Sequence, residues 1–185
     1  MREGTGDGPP FGFGIRHAEK ILVIFRKRVA QLTERALAMF VGRAARAAGV
    51  SGEVHVLLTN NREMRSLNGR FRGKHGPTDV LSFPAEPTVS NGFAGDVAIS
   101  AEFAASNARL LGHSPAEEVK ILALHGVLHL AGYDHEKDQG EMAQRERQLR
   151  QKLRLPVTLI ERSRSLSRPH EKSATVMRSK PRSGR

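Results

Sequence analysis

His125, His129 and His135 are the residues of this 185-residue chain whose types and spacing most clearly imply chemistry; they stand in the run HGVLHLAGYDH. Positions four apart on an α-helix share a face, with Cβ atoms roughly 5–6 Å apart. Two imidazoles so placed can reach one zinc ion at about 2.0–2.1 Å. Gly132 falls where such a helix would end. A glycine there can adopt the left-handed conformation that turns the chain back, so His135 comes round as a third ligand. Three protein ligands leave the fourth tetrahedral position for water, which is the arrangement of a catalytic zinc and not of a structural one. The pattern predicts a hydrolytic centre with one Zn2+ per chain. All-imidazole ligation also admits copper, nickel or iron.

A single histidine on an apolar helix is usually a core residue hydrogen-bonded to a neighbour. Here Val119, Ile121, Leu122, Leu124, Val127, Leu128 and Leu130 nearly encircle the segment from Pro115 to Ala131. Such a helix is buried, and its imidazoles need partners. Three of them at ligand spacing point to a metal. The metzincin proteases share the spacing H-x-x-x-H-x-x-G-x-x-H, but they carry a glutamate general base directly after the first histidine. In this chain that place is Gly126, which disfavours a zinc peptidase.

The chain has 30 Lys and Arg against 19 Asp and Glu, a net charge of +11. An excess of this kind suits a polyanionic partner. More than half of it lies in the last 25 residues, where eight Lys and Arg face two Glu, so the rest of the chain has only a modest basic bias. Cysteine is absent, which excludes disulfides and thiolate metal sites. The run Ile21 to Phe25 is too short to span a bilayer, and Arg26, Lys27 and Arg28 follow it instead of preceding it, the reverse of a secretory signal. These features predict a soluble, cytoplasmic protein with no membrane partner and no small-molecule cofactor.

The elements that must position the histidines can be read from periodicity and punctuation. Strands are expected over Lys20 to Val29, Glu53 to Thr59, Thr78 to Phe83 (stopped by Pro84) and Gly95 to Ser100. An Ala-rich helix is expected over Leu32 to Ala48, stopped by Gly49, and a short one capped by Asn60 and running through Leu67. Gly69 to Pro77 then reads as a basic loop carrying Arg70, Arg72, Lys74 and His75. Ser100 caps a helix through Leu111. Ser114, Pro115 and Glu117 form a capping box for the histidine helix, and Asp138 with Glu141 repeats that signature for a last helix to about Leu153. The result is a single α+β domain: a four-stranded mixed sheet packed with about five helices, one of them a metalloprotease-like zinc helix. The domain spans 20–161, between a flexible extension over 1–19 and a disordered basic tail over 162–185.

Three segments in this order, FRGKHGPTDVLSFP (Phe71 to Pro84), GDVAIS (Gly95 to Ser100) and HGVLHLAGYDH, resemble the signatures of the YbeY family of bacterial rRNA maturation factors. The resemblance runs from about Lys20 to Glu161. It implies a zinc-dependent, single-strand-specific endoribonuclease acting in 16S rRNA 3′-end maturation and ribosome quality control, with single-stranded RNA and the small ribosomal subunit as partners. It also implies that the zinc ligands are His125, His129 and His135, and that Arg72 is the functionally important arginine. His75 departs from the family, which usually has an acidic residue there, and nothing carries over onto the two ends of the chain.

Arg72 would then sit at the scissile phosphate, where a planar fork of donors matches phosphate oxygens, and Arg70 and Lys74 would contact backbone phosphates. Asp134 is a candidate to orient a metal-bound imidazole or to serve a helix terminus. Asp79 and Asp96 read as structural, and His17, His55, His113 and His170 as incidental. The alternative function is a non-catalytic rRNA-binding assembly factor, with a zinc peptidase behind it.

Overall fold

A computed structural model describes residues 20–86 and 92–156; the extension expected over 1–19 and the tail expected over 162–185 lie outside the described residues. Along the described chain run β1 (Ile21–Phe25), α1 (Glu34–Ala48), β2 (Glu53–Thr59), α2 (Asn61–Arg72), β3 (Val80–Pro84), β4 (Phe93–Ser100), α3 (Ala101–Leu111), α4 (Pro115–Leu130) and α5 (Glu141–Leu153). The strand order is β1-β2-β4-β3. β1, β2 and β4 are mutually parallel, and β3 runs antiparallel to β4 along the edge. The expected α+β domain with a four-stranded mixed sheet and five helices is what the described residues form.

Period-two alternation gives the sheet its two faces. Val54, Val56 and Leu58 of β2 and Val97 and Ile99 of β4 point into the main core, which α1, α3, α4 and α5 complete. The opposite face buries Leu81 and Ala98 against Met64 of α2, a smaller cluster completed by Leu57, Leu67 and Phe83. α4 lies at the centre. It packs on α1, α3, α5, β3 and β4, and its buried side includes Val119, Ile121, Leu122, Leu124, Val127 and Leu128. Its N-terminus carries the expected capping box between Ser114 and Glu117.

Several boundaries differ from expectation, each for a local reason. β1 ends at Phe25, not Val29, because the N–H groups of Arg26 and Lys27 both turn onto the Leu58 carbonyl. α1 begins only after Thr33, whose side chain caps it. β3 starts two residues late and includes Pro84, as an edge strand permits, and β4 starts early at Phe93. α2 runs on to Arg72 instead of stopping at Leu67. Gly69 is tolerated inside it, and Gly73, at φ 64°, makes the C-terminal cap. Arg70 and Arg72 therefore belong to the last turn of a helix and not to a loop. Asp138 lies upstream of the α5 N-cap, Gly140, yet its carboxylate still accepts the N–H groups of Gly140 and Met142.

Gly126 explains how closely α4 approaches the sheet. A Cβ at this position would lie 2.5 Å from Val97 Cγ1 and 3.1 Å from Ser82 Oγ. Ser82 Oγ also donates to the Gly126 carbonyl at 3.3 Å. Gly126→Ala therefore overpacks a rigid β-branched neighbour. It should lower unfolding free energy by about 1–3 kcal/mol in chemical denaturation, despite alanine's better helix propensity. An unchanged or stabilised variant would show that α4 can lift off β4 freely.

Candidate metal centre and its cleft

His125 and His129 stand one helical turn apart on α4, and their Nε2 atoms are 3.2 Å from each other. Two nitrogens sharing a tetrahedral zinc at about 2.0–2.1 Å would be about 3.3 Å apart. His135 completes the set: the ligand atoms of the three rings all lie within 4.8 Å of one another. What brings His135 back is the end of α4. Gly132 takes φ 89°, its N–H donates to the His129 carbonyl, and the Tyr133 N–H donates to the Leu128 carbonyl. This pair of bonds is the Schellman closure of a helix, and it reverses the chain within two residues.

A buried carboxylate on α5 supports the centre. Glu146, with no solvent exposure, lies 3.1 Å from His125 Nδ1 and accepts Arg150 Nη1 at 3.3 Å. A carboxylate at this distance accepts from a ring N–H at His125 Nδ1, and a ring with its proton there presents its Nε2 lone pair toward His129. A carboxylate behind a ligating imidazole fixes the ring and raises its basicity. The buried Nδ1 of His135 has no hydrogen-bond partner among the described residues. The donor set thus fits a metal ion, and the three neighbouring histidines could hold one.

Electrostatics point the same way. Burial, and then the neighbouring His125 and His135 rings, push His129 down to about 4. Burial and His125 likewise hold His135 below the usual imidazole range. Both rings are neutral at pH 7, with lone pairs available.

The three histidines open onto a cleft of about 1020 Å³ whose lining also includes Phe71, Arg72, Lys74 and Phe83. The structure therefore brings Arg72 and Lys74 to the histidines. Arg70 does not line the cleft; its guanidinium lies over the Phe71 ring, 5.2 Å from the centroid. His75 is exposed and stands outside the lining. Asp134 lines the cleft beside the imidazoles, and its charge acts on His129 and His135. Its carboxylate accepts Lys137 Nζ at 2.9 Å and the Glu136 N–H at 3.1 Å and so shapes the turn. Asp79 lines the cleft while accepting the Val80 N–H, and Asp96 sits 3.2 Å from His55 Nδ1.

Sequence reasoning missed Glu146, because its distance from His125 along the chain carries no spacing signal. It also read His55 and His113 as incidental. His55 lies between Glu53 and Asp96, and His113 pairs at 2.6 Å with the fully buried Glu118. No helix among the described residues is long and apolar enough to cross a membrane.

Comparison with known proteins extends this picture. The family profile described as Endoribonuclease YbeY matches residues 15–154. A protein of that name from Koribacter versatilis is 52% identical, over 83% of this chain and 97% of its own length. Another, from Solibacter usitatus, is 44% identical over 77% of this chain and 95% of its own. The solution structure of TM1509 from Thermotoga maritima aligns with a TM-score of 0.52 at 26% identity, covering 85% of this chain and 99% of that one.

Two outcomes follow from the support and charge of this site. Glu146→Gln should weaken metal binding about 10–100-fold in competition with a chelator while far-UV circular dichroism stays unchanged; undiminished affinity would remove Glu146 from the site. Metal-free protein should lose stability as pH falls from about 6.5 through about 4. The unfolded chain takes up protons on imidazoles that the fold keeps neutral. A melting temperature that falls no more steeply across this window than that of His129→Gln would contradict this.

Proposed function

Since this chain belongs to the Endoribonuclease YbeY family, we propose that it is a zinc-dependent, single-strand-specific endoribonuclease. It acts in the cytoplasm on rRNA of the small ribosomal subunit, in 16S 3′-end maturation and ribosome quality control. The catalytic unit spans 20–161. The observation that carries this reading is the meeting in one cleft of three convergent imidazoles with the cationic side chains of Arg72 and Lys74. Metal ligands and phosphate-binding donors facing each other are what hydrolysis of a phosphodiester needs.

In this reading His125, His129 and His135 hold the ion, and an all-nitrogen set of three imidazoles, two of them 3.2 Å apart, suits zinc. A bound zinc supplies a water acidified to a pKa of about 7 and a Lewis acid for a phosphoryl oxygen. Glu146 keeps the His125 ring in the ligating tautomer. Arg72 offers a bidentate fork to the scissile phosphate and stabilises the charge that develops on it. Its place in the last turn of α2 fixes where that fork originates. Lys74, a compact point charge on the following loop, holds a neighbouring phosphate, and Arg70 contacts the strand at the edge of the cleft.

A peptidase finds no support here. The position where metzincins carry their glutamate is Gly126, whose missing side chain would run into Val97.

Purified protein with about one zinc per chain should cleave single-stranded rRNA. His129→Ala should abolish cleavage, and Arg72→Ala should lower kcat/KM about 10²-fold. Intact RNA at full zinc occupancy, with RNA still bound, would indicate a non-catalytic assembly factor instead. Unchanged cleavage and binding by Arg72→Ala would remove that residue from the mechanism.

A further inference from the structure

Phe71 is 56% exposed. Isolated apolar residues on a surface are ordinary, so exposure alone says little. Among the described residues, however, the exposed large apolar side chains are Leu22, Ile24, Met39, Phe71 and Leu110, and of these only Phe71 is aromatic and only Phe71 lines the cleft onto which the histidines open. Its ring is also held in place. Phe83 of β3 packs against it, centroids 5.0 Å apart and planes at 61°, and the Arg70 guanidinium lies over it. Because Phe83 belongs to the small core under α2, the ring is anchored to the fold at one side and open at another.

We infer that Phe71, flanked by the Arg70 guanidinium, is a stacking platform for an unpaired base of the bound strand. This rests on the ribonuclease reading and deepens it. Aromatic and guanidinium planes bind bases through their π faces, with little regard to sequence. Phe71 and Arg72 are consecutive residues of a helix, so their side chains diverge by about 100°, yet both line the cleft. A strand can therefore give its phosphate to Arg72 and turn its base toward Phe71. Only a base free of its own stack and its Watson–Crick partner can do so, which makes Phe71 a specificity-determining residue for single strands.

The test couples the ring to the base. Single-stranded RNAs of one sequence, each lacking one base at a different position, are bound in fluorescence anisotropy and cleaved by the full chain, by Phe71→Leu and by Phe71→Trp. Leucine keeps an apolar contact with Phe83 but has no π face. For the unsubstituted chain, loss of the base at one position should weaken binding about tenfold and raise KM, with little change in kcat. Phe71→Leu should bind intact RNA about tenfold more weakly and be indifferent to the missing base at that position, while tryptophan restores both. Losses that simply add, as for two independent sites, or a leucine variant equal to the unsubstituted chain, overturn the platform while continued cleavage leaves the ribonuclease reading standing. A chain that neither binds nor cleaves RNA overturns both.

Discussion

An imidazole moved from water into an apolar interior loses its hydrogen bonds unless the fold replaces them. α4 takes two imidazoles to the edge of such an interior, on a helix whose buried side is otherwise mostly aliphatic, Glu118 apart. His125 finds its partner in Glu146, which is itself buried and needs Arg150. A chain of three polar groups therefore ties α4 to α5. Buried charges are stable only when paired and hydrogen-bonded, so this chain dictates where α5 can lie. The same helix is the hub of the core, and the geometry of the histidines and the packing of the domain are determined together.

Much of this was legible in the sequence, and the reasons are physical. The ligand triplet shows because helix periodicity and a glycine turn are local rules: three histidines, one Gly132 and the spacing between them suffice. Ser114 with Glu117, and Thr59 at the end of β2, were equally local. Glu146 was not legible, since contact between α4 and α5 is a tertiary event and glutamates on a charged helix look alike. The end of α2 was misplaced for a different reason. Gly69 has the look of a stop, but Asn68 buries its side chain and donates to the Gly76 carbonyl at 2.8 Å. Tertiary anchoring overrode a weak local propensity. His113 looked incidental because the burial of Glu118 cannot be seen in one dimension.

The extra turn of α2 matters beyond bookkeeping of boundaries. It converts the segment expected as a loosely held basic loop into the rigid wall of a cleft. Met64 and Leu67 fasten that helix to the second face of the sheet. A separate, smaller core thus holds the cationic wall, while the main core holds the ligands. The sheet lies between the two and sets them in register, with β3 contributing Ser82 and Phe83 to the space in the middle.

The contact of Gly126 with β3 and β4 acquires a further meaning from this arrangement. The helix that bears the ligands can approach the sheet only as closely as that residue allows, and the sheet carries the opposite wall. The standing distance of the ligand-bearing helix from β3 and β4 is consequently set from within the core, by the absence of one methyl group.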